Sequence, residues 1–264
     1  MIWLARLALS CRRPARPLKL GATPVKTQTL EYREGEKVLR GFFAWDSTLP
    51  DRRPGILVFH ENTGLTDHER ERATRLAGLG YAALACDMFG ERVIPATDAE
   101  RRAAFEQFRN QKLLPRALAG LQALSAQPQV DTRHIAAIGF CLGGMAALEL
   151  ARAGADLKGV VSFHGGLTSS RPAVAGQIKA KVLVCHGARD PFITLDHVTA
   201  FANEMEAAGV DFQVILYGAA MHGFTNPEAD RLGRPGVAYN KRADLRSWEA
   251  MQHFLIELFG PLRG

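Results

Sequence analysis

Short, almost uninterrupted apolar runs alternate with longer helical stretches over most of the chain. The runs at 54–60, 81–87 and 134–140 read PGILVFH, YAALACD and HIAAIGF, and three more runs of this kind follow. A strand that is apolar along its whole length is expected where both faces of a sheet are covered. Strands that alternate with helices of ten or more residues indicate a parallel sheet with helices on both faces. The chain is therefore predicted to be an α/β protein whose ligand binds at the carboxyl ends of the strands.

The segment before the first buried run has a different pattern. Residues 25–45 contain two stretches with apolar and polar residues in alternation, on either side of the turn REGEK. This pattern predicts an N-terminal antiparallel hairpin at one edge of the sheet. No internal repeat is evident. We therefore predict a basic tail over residues 1–23, expected to be disordered, and one domain over residues 24–264.

The net charge of +6 is concentrated in the tail. Residues 1–23 contain five basic residues and no acidic residue, and without them the rest of the chain has a net charge of only +1. A basic patch on the folded domain, which nucleic-acid binding requires, is therefore not expected. No apolar stretch reaches the roughly 18 residues of a membrane helix. The sequence thus predicts neither nucleic acid nor membrane as a partner.

The cysteines favour a reducing compartment. None of the four forms a CxxC pair, and Cys86 and Cys185 lie within apolar runs, where they are expected to fill the core. A cytoplasmic location is predicted on this basis. The arginine-rich, acid-free tail also resembles a mitochondrial presequence, which leaves an organelle destination open. No pattern calls for a metal or an organic cofactor, and the expected state is a monomer or a weak homodimer.

Cys141 lies in the sequence IGFCLGG (138–144), between a predicted strand and a predicted helix. A cysteine in such an apolar setting is often a small buried hydrophobe. The pattern Gly139-x-Cys141-x-Gly143 also matches the nucleophile elbow G-x-S-x-G, with cysteine in place of serine. A helix N-terminus favours both a thiolate and a developing oxyanion, and the N–H of Leu142 is a predicted oxyanion donor.

A nucleophile of this kind needs a base, and the base needs an acid that orients it. Chains with the elbow place these groups in the order nucleophile, acid, histidine. Asp190 and His222 each come shortly after a predicted strand, so both belong to the predicted ligand-binding edge. Three other histidines also follow predicted strands: His60, His164 and His186. The required order together with the glycine-framed cysteine predicts a triad of Cys141, His222 and Asp190.

Four segments together resemble the dienelactone hydrolase family of α/β-hydrolases. They are HENTGL (60–65), GFCLGG (139–144), HGARDPF (186–192) and HGFTNPEA (222–229). The resemblance extends over about residues 25–260 and implies the α/β-hydrolase fold, with a mostly parallel central sheet. It also implies the triad Cys141, Asp190 and His222.

The same resemblance implies roles for two residues after the first buried strand. Glu61 would hydrogen-bond the resting thiol and move aside when substrate binds, which delays formation of the oxidation-prone thiolate. The alternative for Glu61 is an exposed loop carboxylate. The N–H of Asn62 would be the second oxyanion donor. Asn226 stands where family members that act on the dienelactone are expected to have an arginine, and an amide cannot form a charge-assisted fork with a carboxylate.

The predicted activity is hydrolysis of small carboxylic esters or lactones through a thioester acyl-enzyme. An acyltransferase that uses the same triad with an alcohol acceptor stays open as an alternative. A second alternative, from another functional class, is a non-catalytic scaffold that binds a small ligand. The sequence does not identify the natural ester.

Overall fold

A computed structural model describes residues 24–49, 52–91 and 97–262, so the predictions for the tail over residues 1–23 lie outside the described residues. The strands of the described chain are β1 (Val25–Glu34), β2 (Lys37–Asp46), β3 (Arg53–Phe59), β4 (Ala82–Cys86), β5 (Val130–Phe140), β6 (Gly159–Phe163), β7 (Lys181–Gly187) and β8 (Phe212–Tyr217). The helices are α1 (Asp67–Gly78), α2 (Asp98–Gln111), α3 (Leu113–Ser125), α4 (Leu142–Arg152), α5 (Leu195–Ala207) and α6 (Lys241–Phe259).

All the described strands belong to one sheet with the order β1-β2-β4-β3-β5-β6-β7-β8. The hairpin β1-β2 is antiparallel and pairs with β4 in the antiparallel sense, at one edge of the sheet. From β4 to β8 every neighbouring pair is parallel. The predicted fold class is confirmed: a mostly parallel sheet with helices on both faces and an N-terminal antiparallel hairpin.

The uninterrupted apolar runs are explained by a separate core on each face of the sheet. In β3, Ile56 and Val58 point into a core that residues of α1 and α6 complete, whereas Leu57 and Phe59 point into the opposite core with residues of α3, α4 and α5. All four side chains are fully buried. Because successive side chains of a strand face opposite sides, a sheet covered on both sides requires apolar residues at every position. Cys86 and Cys185 are fully buried core residues, as predicted.

The carboxyl ends of the parallel strands lie side by side, which brings distant parts of the chain together. In the sheet register Phe59 of β3 is opposite Gly139 of β5, and Phe163 of β6 is opposite Phe140 on one side and Cys185 on the other. Residues that follow these strands therefore share one edge. The residues of interest there are Glu61, Cys141, His164, Asp190 and His222.

Within the described ranges, no helix is long and apolar enough to cross a membrane. The same part of the chain contains no group of three or more histidine, cysteine, aspartate or glutamate side chains arranged to hold a metal ion.

Candidate active site

Cys141 is the single residue between the end of β5 and the start of α4. Its backbone has φ 52° and ψ −111°, a conformation that costs a non-glycine residue about 1–3 kcal/mol. Its N–H donates to the carbonyl of Phe163 over 3.0 Å, and its carbonyl accepts from the N–H of Met145 over 3.2 Å. The surrounding fold thus holds a strained turn that presents the sulfur at the carboxyl edge of the sheet.

Two glycines allow the turn to pack against its neighbours. A Cβ at Gly139 would lie 2.0 Å from the carbonyl oxygen of Gly143, and a Cβ at Gly143 would lie 2.2 Å from the carbonyl oxygen of Phe59. Both contacts are with backbone atoms, which cannot turn away as a flexible side chain can. Glycine at 139 and 143 is therefore a steric requirement of the elbow, as the sequence pattern indicated.

The structure brings Cys141, His222 and Asp190 together in one line of contacts. Nε2 of His222 lies 3.1 Å from Sγ of Cys141, and Nδ1 of His222 lies 2.8 Å from Oδ2 of Asp190. Oδ1 of Asp190 accepts hydrogen bonds from the N–H groups of Phe192 (2.9 Å) and Ile193 (3.1 Å). These are the distances and the sequence of contacts that a nucleophile, its base and an orienting acid require.

The charge state of His222 is set by its two partners. Burial on its own lowers the pKa of His222, but the Cys141 sulfur and the Asp190 carboxylate outweigh that effect and raise it to about 10. The pKa of Asp190 is lowered, because the hydrogen bond from His222 and the backbone donors outweigh its burial. His222 therefore carries a proton at neutral pH, and a protonated histidine beside a cysteine stabilises the thiolate.

The main chain of His222 is anchored by two hydrogen bonds, and a neighbouring aromatic ring packs against its imidazole. The N–H of His222 donates to the carbonyl of Gly236 over 3.1 Å, and the carbonyl of His222 accepts from Ala238 over 3.1 Å. The ring of Phe192 meets the His222 ring edge-on, with centroids 5.4 Å apart. Phe192 is 39% exposed, so it forms a wall of the site that solvent and ligand can reach.

Glu61 is buried, which argues against the alternative of an exposed loop carboxylate. Its Oε2 accepts a hydrogen bond of 2.6 Å from Nδ2 of Asn226, and its Oε1 lies 3.9 Å from Nε2 of His164. Burial raises the pKa of Glu61 to about 7, although the bond from Asn226 acts in the opposite direction. In this arrangement the Cys141 sulfur contacts His222, and the Glu61 carboxylate is bonded to Asn226.

Asn226 is part of the internal structure of the site. The side chain is buried, its Nδ2 is bonded to Glu61, and its Oδ1 accepts from the N–H of Glu228 over 2.9 Å. The amide group therefore has protein partners for both its donor and its acceptor atoms. It is not an open group that points at the place of a substrate carboxylate.

The two predicted oxyanion donors lie on adjacent elements of the carboxyl edge. Leu142 is the first residue of α4, where a backbone N–H has no partner within the helix. Asn62 follows Glu61 in a turn that is closed by a hydrogen bond of 3.2 Å from the N–H of Gly64 to the carbonyl of Glu61. Their role as oxyanion donors stays a prediction.

One buried ion pair, which no sequence pattern indicated, supports the His222 loop. The guanidinium of Arg72, on α1, donates to Oδ1 of Asp244 (2.7 Å) and to the carbonyl of Thr225 (2.9 Å). Both charged side chains are at least nine-tenths buried. Arg72 belongs to a polar, arginine-rich segment that has the appearance of a solvated helix face, so no local signal distinguished it.

His60 and His186 bond to main-chain atoms, including the carbonyl of Glu61, which lies 2.6 Å from Nδ1 of His60. Nε2 of His60 accepts from the N–H of Met88 over 3.0 Å, and Nε2 of His186 lies 2.8 Å from the carbonyl of Ile193. His164 differs from both, because its partners are side chains of the site: Thr225 Oγ1 at 2.8 Å and the ring of His222. Its position after a strand was visible in the sequence, but its contacts were not.

The order of the sheet and the strained elbow define the chain as an α/β-hydrolase. The sequence profile of the Dienelactone hydrolase family matches residues 40–259. The chain belongs to the dienelactone hydrolase family and is a hydrolase that acts on esters or lactones.

Individual relatives agree with this assignment. The crystal structure of P91, described as a dienelactone hydrolase-like promiscuous phosphotriesterase from metagenomic libraries, superimposes with a TM-score of 0.83 and is 44% identical, covering 89% of this chain and 99% of P91. The uncharacterized Caenorhabditis elegans protein K02A2.1 is 41% identical over 153 residues, or 57% of this chain and 97% of that protein. A Saccharolobus solfataricus protein provisionally named carboxymethylenebutenolidase is 25% identical, with coverage of 84% and 95%.

Proposed function

We propose that the chain hydrolyses small carboxylic esters or lactones through a Cys141–His222–Asp190 triad and a thioester acyl-enzyme. The observation that carries the proposal is the continuous line of contacts, 3.1 Å from sulfur to imidazole and 2.8 Å from imidazole to carboxylate, on a strained elbow. Cysteine in place of serine makes the intermediate a thioester. The buried Asp190 fixes the imidazole tautomer and stabilises the charged ring.

The reaction has two halves. In the ion pair described above the thiol proton is already on His222, and the thiolate sulfur of Cys141 attacks the carbonyl carbon to form a tetrahedral adduct. The N–H groups of Leu142 and Asn62 stabilise its oxyanion. When the adduct collapses, the C–O bond to the alcohol breaks and His222 gives its proton to the departing oxygen. A water molecule, deprotonated by His222, then attacks the thioester carbonyl. The C–S bond breaks, Cys141 is regenerated, and the carboxylic acid is released as product.

Esters and lactones suit this mechanism better than amides. A thiolate is a good leaving group, so a tetrahedral adduct with an amide returns to reactants unless the amine is protonated first. An alkoxide that receives the His222 proton departs more readily. We therefore expect turnover of activated esters and lactones in preference to peptides.

The contacts of Asn226 support substrates that lack a carboxylate. Both polar atoms of this amide are bonded within the protein, and an amide cannot replace an arginine fork. A panel of matched esters and lactones, with and without a free carboxylate, tests this expectation. A phosphotriester belongs in the panel because P91, the 44% identical relative, is named as a phosphotriesterase. Turnover of carboxylate-bearing lactones alone would show that the inference from Asn226 is wrong.

The proposal is tested directly by trapping the acyl-enzyme. The enzyme is mixed with p-nitrophenyl acetate, quenched with acid, and analysed by intact-protein and peptide mass spectrometry. We expect one acetyl group on Cys141 and none on Cys86 or Cys185, and a burst of p-nitrophenol equivalent to the enzyme. Transfer of the acetyl group to an added alcohol in preference to water would favour the acyltransferase alternative. Absence of both acylation and turnover would favour the non-catalytic scaffold.

Glu61 is proposed to protect the resting thiol. In the resting state its ionised carboxylate would accept the S–H hydrogen bond, and when substrate binds it would occupy the position on Asn226 described above. The burial of Glu61 and the 2.6 Å bond to Asn226 support a carboxylate with a defined partner in that second position. A thiol held in this way loses its proton less readily and is oxidised more slowly.

Replacing Glu61 with glutamine is expected to accelerate inactivation by hydrogen peroxide severalfold. Because the pKa of Glu61 is about 7, the difference from the wild type should be largest above pH 7 and should disappear as the pH falls well below it, where Glu61 is already neutral. The rate of inactivation is measured from pH 5 to pH 9, with Glu228→Gln, a change at an exposed glutamate nearby, as the control. Equal peroxide sensitivity of E61Q and the wild type at pH 9 would contradict the protective role.

A further inference from the structure

His164 has an unusual backbone conformation next to the active site. It directly follows β6, has a φ of 41°, and is with Cys141 one of the two non-glycine residues of the described chain with a positive φ. The side chain is fully buried. Strained non-glycine residues persist where the surrounding structure holds them, and they are concentrated at functional sites. The contacts of His164 are therefore of interest.

The His164 side chain contacts residues of the proposed machinery and of the His222 loop. The ring meets the His222 ring edge-on, with centroids 5.3 Å apart and an interplanar angle of 65°. Nε2 lies 2.8 Å from Oγ1 of Thr225, three residues after His222, and 3.9 Å from Oε1 of Glu61. His164 thus touches both the catalytic imidazole and the buried carboxylate.

The surroundings keep this imidazole uncharged. The rings of Phe140 and Phe224 lie against it, and its Nδ1 has no hydrogen-bond partner. Burial, and then the charge on His222, hold the pKa of His164 well below its usual range. The titratable groups that act on His164 from neighbouring elements are Glu61, His68, His186 and His222.

We propose that His164 is a positioning residue for the hydrolytic reaction, a buried imidazole that keeps the His222 ring in line between Cys141 and Asp190 and keeps the Glu61 carboxylate from competing for it. The inference rests on the proposed role of His222. It adds a residue to the site that acts through His222 and does not touch the substrate.

The need for such a residue follows from the two carboxylates of the site. Asp190 binds Nδ1 of His222, while Glu61 is buried close to the same loop, with Oε1 4.0 Å from the place that a Cβ would take at Gly223. A second carboxylate that reached the protonated His222 would pull the ring away from the sulfur. His164 contacts both groups, with Nε2 3.9 Å from Oε1 of Glu61 and its ring edge-on to that of His222, while the same Nε2 binds Thr225.

The test is the substitution His164→Asn, alone and combined with Glu61→Gln. Asparagine tolerates the positive φ better than most residues, so the variant is expected to fold. It removes the ring that contacts His222 and the nitrogen that lies 3.9 Å from Oε1 of Glu61, while Asn226 still binds Oε2 of that carboxylate. Two quantities are measured: steady-state turnover of p-nitrophenyl acetate, and the pH dependence of Cys141 alkylation by iodoacetamide, followed by peptide mass spectrometry. The second requires no turnover, so it remains informative even if the proposed function fails.

For H164N we expect kcat to fall about 10- to 100-fold with little change in KM, as for a small misplacement of a catalytic group. The pH midpoint of Cys141 alkylation should rise, because the sulfur loses its aligned imidazolium partner. The double variant H164N/E61Q should recover part of both losses, because the competing carboxylate is gone.

Ser162→Ala is the matched control, since Ser162 is fully buried on β6, two residues before His164, and has an unpartnered hydroxyl. It should leave kcat and the alkylation midpoint unchanged. A lower melting temperature of H164N with unchanged kcat and midpoint would show a purely structural role and overturn the proposal. Losses in H164N that E61Q does not relieve would overturn the part assigned to Glu61.

Discussion

Replacing Cys141 with alanine is expected to lower kcat/KM for p-nitrophenyl acetate by about 10⁴- to 10⁶-fold, the range seen when a nucleophile is removed from a triad. The variant keeps the elbow, because alanine is smaller than cysteine and the glycines that shape the turn are unchanged. It also keeps His222 and Asp190, but no atom remains to form the acyl-enzyme. Residual turnover would come from the oxyanion donors and from binding alone.

The other two described cysteines supply the control for this experiment. Cys86 and Cys185 are fully buried, and burial raises the pKa of both thiols, that of Cys185 to about 12. Cys86→Ala and Cys185→Ala should therefore retain the wild-type kcat/KM per folded molecule, with the folded fraction measured by circular dichroism. Wild-type turnover by C141A would mean that another residue is the nucleophile, and the triad would have to be abandoned.

Asp190→Asn is expected to lower kcat by about 10²- to 10⁴-fold with little change in shape, by analogy with the triad of serine proteases. The carboxylate accepts the Nδ1 hydrogen of His222, whereas an amide NH₂ in the same place favours the tautomer that cannot take the thiol proton. Loss of the Asp190 charge also lowers the pKa of His222 from about 10. The alkaline limb of the kcat/KM profile should therefore move to lower pH.

A matched change on the protein surface tests whether the effect is specific to Asp190. Asp196, in the first turn of α5, is exposed, and Asp196→Asn should change neither kcat nor the position of the alkaline limb. A triad carboxylate is expected to contribute much more than about threefold to kcat. If the kcat of D190N is within about threefold of the wild type, Asp190 has only a structural role.

The fold and the position of the predicted nucleophile could be predicted from the sequence because both depend on local signals. A strand buried on both faces must be apolar at every position, so the run 54–60 could be recognised without knowledge of its neighbours. The elbow was recognisable because Gly139 and Gly143 are sterically required where the backbone of the turn meets itself and Phe59. Asp190 and His222 could be inferred only through the order of the chain and the strand-end rule.

The partners of the polar groups around the triad could not be predicted in the same way. Glu61 and Asn226 are 165 positions apart, and Arg72 and Asp244 are 172 apart. The first pair forms because the loops after the strands share one edge of the sheet, and the second because α1 and α6 contribute to the same core, and no spacing in the sequence encodes either choice. The arginines of α1 therefore gave no sign of a buried partner, and His164 was one of several histidines after strands.

The close backbone contacts of the elbow have a consequence for redesign of the enzyme. The position of the residue at 141 is determined by main-chain atoms of β3, β5 and α4, while its side chain faces the His222 ring. The backbone therefore fixes the position of the side-chain atom at 141 independently of which element that atom is. Serine or selenocysteine introduced at 141 should occupy the same place, so differences in rate among the three would measure the intrinsic chemistry of oxygen, sulfur and selenium in one fixed geometry.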